Sequence, residues 1–105
     1  MVRQANGGPT GKEPEHYELR LYVTGATPAS GRAIANLKAF CEEHLRDHYD
    51  LEVVDIYQQP QMAEEDRILA TPTLIKRLPL PLRRVVGDLS DSDNVLLRLD
   101  LSPGR

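Results

Sequence analysis

The side chains with which a short chain could do chemistry are few here, and their spacing argues against most uses. Cys41, His44 and His48 recur at i, i+3 and i+7. On a helix this spacing gathers them on one side, as a metal site requires. Cys41 also falls in an apolar stripe, and no fourth ligand is evident. A buried free cysteine is therefore expected, with no metal. Glu64, Glu65 and Asp66 are consecutive. They splay around a helix and cannot converge on a substrate. With Pro60 ahead, they read as an acidic first turn suited to the positive pole of a helix. Thr27-Pro28-Ala29-Ser30 follows a strand and opens a helix, where a thiolate would be stabilised. It holds no thiol, and dithiol exchange needs an attacking and a resolving sulfur. Thr27 is expected to be a helix cap and Pro28 the first helical residue. No catalytic or cofactor-binding residue is expected.

Arg67, Lys76, Arg77, Arg83 and Arg84 gather in the second half of a chain whose net charge is −3. Two readings stand: an ordinary solvated face, or a basic face that steers the protein to an acidic partner. Arg32 is a weaker addition. Nucleic acid is disfavoured by the negative net charge and the lack of aromatics among the basic residues. No apolar run approaches a bilayer span, so no membrane is expected. The first residues carry no signal-like apolar run, and Cys41 has no internal disulfide partner. A reducing, cytoplasmic location is expected.

The elements that position these residues follow from periodicity. The 105 residues suffice for one small domain, and with no Trp and one Phe its core must be mainly aliphatic. Residues 1–15, rich in Gly, Pro and polar groups, read as a flexible tail, and 16–102 as the domain. Tyr17, Leu19, Leu21 and Val23 alternate with polar neighbours, which gives a strand. Ala33, Ile34, Leu37, Phe40, Cys41 and Leu45 form a helical stripe. A second strand is expected at Leu51–Tyr57, parallel to the first through a right-handed crossover. Its free edge, with Tyr57 and Gln58 at the end, is open to pairing with a partner backbone. A short helix over Gln61 to Arg67 or Ile68 leads to Thr71-Pro72-Thr73. Two strands, Leu74–Arg77 and Arg83–Val86, flank a proline-stiffened Leu78–Leu82 connection. Ser90 is expected to cap the last helix, with Asp93 completing a capping-box-like pair, and Ser102-Pro103-Gly104 to stop it. The order β-α-β-α-β-β-α, with a parallel pair, an antiparallel hairpin and helices on both faces, is an α/β thioredoxin-like architecture. The resemblance to that architecture, which places a cis-proline loop here, implies that the Thr71–Pro72 bond is cis.

Several stretches carry a more specific resemblance. They are Leu21-Tyr22-Val23-Thr24-Gly25 with Thr27-Pro28 and Ser30, then Val53-Val54-Asp55-Ile56 and Pro60-Gln61-Met62-Ala63-Glu64-Glu65-Asp66. Ile68-Leu69-Ala70-Thr71-Pro72-Thr73-Leu74, Leu78-Pro79, Arg83-Arg84, Gly87-Asp88-Leu89-Ser90 and Leu99-Asp100 continue it. Over roughly residues 17–101 the chain resembles the KaiB family. The resemblance implies a non-catalytic adaptor that binds the N-terminal ring of a KaiC-type ATPase. It also implies competition with a sensor histidine kinase bearing a KaiB-like domain, and recruitment of a KaiA-like protein. Arg32, Arg67, Lys76, Arg83 and Arg84 become the candidate partner contacts, and Thr27, Pro28, Pro72 and Ser90 the structural positions.

The family further implies two folds: a thioredoxin-like monomer, and an oligomer (dimer or tetramer) with a rearranged C-terminal half. This chain has Arg98 where the cyanobacterial clock form has glycine. Arg is the better helix former by about 1 kcal/mol, which favours the thioredoxin-like state. The chain also has a longer N-terminal stretch and stops soon after Leu101 without that form's acidic tail. Three alternatives remain: a KaiB-like stress protein with other partners, a purely structural oligomer, and a thiol oxidoreductase using Cys41, disfavoured because a stripe-facing mid-helix cysteine should be inert.

Overall fold

The computed structural model describes residues 16–101. The expected tail at 1–15 and the helix stop at Ser102-Pro103-Gly104 lie outside the described residues. The elements are β1 (Tyr17–Val23), α1 (Pro28–His44), β2 (Tyr49–Asp55), α2 (Pro60–Glu65), β3 (Thr73–Leu78), β4 (Arg83–Val86) and α3 (Ser92–Arg98). The four strands form one sheet in the order β2-β1-β3-β4. β1 pairs parallel with β2 and antiparallel with β3, and β4 pairs antiparallel with β3. The thioredoxin-like arrangement is the one adopted, with Thr71–Pro72 cis, as are Leu78–Pro79 and Leu80–Pro81.

Strand alternation divides the core between the two sheet faces. Leu19, Leu21, Val23, Leu74 and Val85 pack with Ala33, Leu37, Phe40, Cys41 and Leu45 of the α1 region, and with Val95 and Leu99 of α3. Tyr22, Val54 and Ile75 face the other way and receive Met62, Ala63 and Ile68 from α2 and its exit. Each fully buried aliphatic side chain contributes roughly 1.5–3 kcal/mol, so the larger cluster on the α1 and α3 face dominates stability.

Several boundaries differ from those the periodicity suggests, β3 by one residue at each end. β2 starts and ends two residues earlier, because it matches β1 residue for residue from Tyr17–Tyr49 to Val23–Asp55. Ile56 and Tyr57 then fall in a turn held by Asp55, whose Oδ1 accepts from the N–H groups of Gly25 (3.2 Å) and Tyr57 (2.9 Å). α2 ends at Glu65, with Asp66 as its C-cap and Arg67 at a φ of 55°. The acidic run therefore sits at the carbonyl end of α2, and its expected place in the first turn is corrected. α3 is capped by Asp91, whose Oδ1 accepts from the Asn94 N–H at 3.1 Å. Ser90 is therefore not the cap; its own N–H donates to Asp88 Oδ1 at 3.1 Å. Asp91 has the extended backbone a cap needs, and its carboxylate reaches the open N–H three residues on.

Candidate functional site

The start of α1 is knit by hydroxyl groups. Thr27 Oγ1 accepts from the Ser30 N–H (3.1 Å) and lies 2.9 Å from Ser30 Oγ. Ser30 Oγ in turn accepts from the Thr24 N–H at 3.2 Å. Thr24 and Thr71 join through their hydroxyls, which ties this corner to the cis-proline loop. Thr27 is the N-cap and Pro28 the first helical residue, as expected. Cys41 lies far along α1, fully buried, and its thiol is pushed up to about 12 by burial and by the charge of Glu42. A thiol so poorly ionised is a poor nucleophile at neutral pH. His44 is the last residue of α1 and His48 lies past its end, so the helical spacing that would align both with Cys41 is broken.

The α2 face of the sheet carries a polar hub centred on Asp66. Its Oδ2 accepts from the Tyr22 hydroxyl (2.5 Å) and from Arg20 Nη1 (3.1 Å), with Arg77 Nη1 at 3.8 Å. Arg20 also donates through Nε to Glu52 at 2.9 Å. Burial pushes the Asp66 carboxyl up, but the Tyr22 and Arg20 hydrogen bonds and the cationic neighbours outweigh it and hold the group below the usual carboxylate range. The Tyr22 phenol is raised by burial and by Asp66. Arg84 reaches across from β4 and donates to the backbone oxygens of Asp66 (2.5 Å) and Arg67 (3.3 Å). These carbonyls end α2 without helical partners, so the guanidinium serves as a C-terminal cap supplied from another element.

The basic residues do not form one surface. Lys76 follows Leu74 at the strand period and shares its face of β3; it is 2 % exposed. It therefore lines the sheet under the α1 and α3 layer, and its assignment to a surface contact is corrected. Arg83, opposite Lys76, is on that side too and lies 4.0 Å from Asp100. Arg32, on α1, is 3.3 Å from Asp88, whose backbone oxygen also accepts from Asn36 at 2.8 Å. Arg67, Arg77 and Arg84 gather on the α2 side. The adjacent pairs in sequence are thus divided between opposite faces.

The KaiB domain model matches residues 20–101. The chain belongs to the KaiB family. It is 56 % identical over 88 residues to the circadian clock oscillator protein KaiB of Synechococcus elongatus, covering 84 % of this chain and 86 % of that one. The fold is similar to that of the N-terminal domain of Synechococcus elongatus SasA, with a TM-score of 0.71 and 24 % identity over 100 % of this chain and 96 % of that domain. Mitochondrial thioredoxin 3 of Saccharomyces cerevisiae shares the fold at a TM-score of 0.65 and 11 % identity, over 82 % and 78 % of the two chains. The KaiB-family chain therefore carries a thioredoxin-like fold, with hydroxyl groups at the start of α1.

Two groups of residues escape a reading of the sequence. Asp66 and Arg84 act together only because the fold brings β4 to the end of α2, 18 positions away in sequence. Asp55 had a local signal: an Asp two residues before Tyr57 suits a side-chain turn.

Proposed function

We propose that this chain is a non-catalytic KaiB-type adaptor in the cytoplasm, docking onto the N-terminal ring of a KaiC-type ATPase and modulating its timing or stress signalling. The match to the KaiB domain over residues 20–101 carries this reading. The fold shared with the SasA N-terminal domain supports competition with a sensor kinase for one site, and recruitment of a KaiA-like protein belongs to the same reading. Exposed Arg67 and Arg84 form the proposed basic contact on the α2 side, with Arg32 and Arg83, also exposed, as separate further contacts. The raised thiol of buried Cys41 weighs against electron transfer. Exchange between the thioredoxin-like monomer and a rearranged oligomer is part of the proposal. A partner that binds one form draws the population toward it by its differential affinity.

The test is co-elution of the purified protein with a KaiC-type ATPase from the same source, with and without an excess of the sensor kinase's KaiB-like domain. A complex that the kinase domain displaces is expected. Absence of any complex, or reduction of insulin disulfides that depends on Cys41, would overturn the proposal.

A further inference from the structure

Leu69 is 97 % exposed, more than any other large apolar side chain among the described residues. A single exposed leucine is ordinary, so exposure alone decides nothing. The loop that presents Leu69 is held on both sides. Before it, the Ile68 N–H donates to Ala63 O at 2.9 Å, the Ile68 side chain packs on the core cluster of Tyr22, Val54 and Ile75, and Arg84 holds the backbone oxygens of Asp66 and Arg67. After it, Ala70 O accepts from the Thr73 hydroxyl (2.6 Å), Thr71 bonds Thr24, and Pro72 O accepts from the Gly87 N–H (2.9 Å). The chain on both sides is fixed while the side chain stands in water. Ordering a loop is a main cost of association, and here it is already met by folding.

The surroundings indicate what the side chain fits. Arg67 and Arg84 are exposed at the near end of the loop. Val86, 63 % exposed, shares the sheet face of Arg84 at the adjoining end of β4. We infer that Leu69 is the apolar anchor of the docking surface, seated in an apolar pocket of the partner protein whose rim carries carboxylates for Arg67 and Arg84. The inference rests on the adaptor reading and names the contact that makes it specific. Apolar burial supplies the affinity and the guanidinium groups the orientation.

The experiment titrates the fluorescently labelled full chain with the N-terminal ring of the KaiC-type ATPase. Wild type is compared with Leu69→Ala, Leu69→Gln and Leu97→Ala, the last removing a 79 % exposed leucine on α3. Thermal melts confirm that all four chains are folded. Leu69→Ala should weaken binding on the order of 30-fold, the loss for a leucine buried at an interface, and Leu69→Gln at least as much. Leu97→Ala should stay within twofold. If wild type binds and either Leu69 variant loses less than tenfold, or Leu97→Ala loses as much, the anchor is overturned and the adaptor reading survives. If folded wild type does not bind, both fall.

Discussion

Removing the Asp66 carboxylate should destabilise the domain by an amount that the geometry bounds. Asp66→Ala deletes the acceptor of the Tyr22 hydroxyl at 2.5 Å and of Arg20 Nη1 at 3.1 Å. Tyr22 is fully buried, and the side chains of Arg20 and Asp66 are only 19 % and 21 % exposed. A hydrogen bond involving a charged group contributes about 1.5–3 kcal/mol. Neither donor is left wholly unpaired, since the Tyr22 hydroxyl also lies 3.1 Å from Met62 O and Arg20 keeps Glu52. Two such bonds with fallback partners give an expected loss of about 2 kcal/mol. For a domain of this size that is roughly an 8–16 °C fall in melting temperature. Urea unfolding followed by circular dichroism measures it, provided the dependence on urea is unchanged. Tyr22→Phe alone should cost about 1 kcal/mol, and the double variant less than the two single costs added, by about 1 kcal/mol.

The pH dependence follows with a definite sign. The folded carboxyl titrates below its unfolded value. Its contribution is therefore present above about pH 4 and lost as pH falls through the lower folded value. The stability gap between wild type and Asp66→Asn should be widest near neutrality and close toward acid. A loss below 0.5 kcal/mol for Asp66→Ala at pH 7, strict additivity with Tyr22→Phe, or a gap that widens in acid would each refute the hub (~0.5 kcal/mol is the usual reach of an ordinary surface change).

Three further outcomes are expected. Asp91→Ala should cost about 1 kcal/mol in urea unfolding while Ser90→Ala stays within about 0.5 kcal/mol, because the carboxylate and not the hydroxyl caps α3. Cys41 in the folded protein should react with a thiol-specific disulfide reagent at pH 8 at least about a hundredfold more slowly than in urea, since its thiolate is scarce and the group is buried; equal rates would contradict the packing of α1. Arg98→Gly should destabilise α3 by about 1 kcal/mol and raise any rearranged form seen by NMR, because it removes a good helix former and its 3.2 Å hydrogen bond to Asn94; an unchanged spectrum would count against that balance.

What could be read from the chain, and what could not, divides along a physical line. Elements fixed by near neighbours were legible. β1 announces itself by alternation, and Thr27 and Pro28 mark the start of α1 because a cap and an N1 proline act within one turn. The cis bond at Pro72 is what the resemblance to a thioredoxin-like fold implies for that position. The bounds of β2 were not legible, because an apolar Ile56-Tyr57 prolongs the pattern while the length of β1 and the Asp55 turn stop the strand. The role of Asp66 was hidden for a stronger reason: its donors Arg20 and Tyr22 lie 46 and 44 positions away.

The basic residues show how a cluster in sequence differs from a cluster in space. Lys76-Arg77 and Arg83-Arg84 look like doubled charge. In a strand, neighbours point to opposite faces, so each pair is split as soon as β3 and β4 form. The antiparallel register then regroups them: Lys76 opposes Arg83 on one face, and Arg84 opposes Ile75 on the other. Alternation from Leu74 was enough to place Lys76 inside. What alternation could not supply is that α2 ends under Arg84, which turns a side chain available to any acidic surface into a cap for two carbonyl oxygens. The positive charge beside Leu69 is thereby fixed in place before any partner arrives. A partner meeting this face would find its orientation already set, and selectivity would rest on the match of a rigid surface more than on the number of charges it carries.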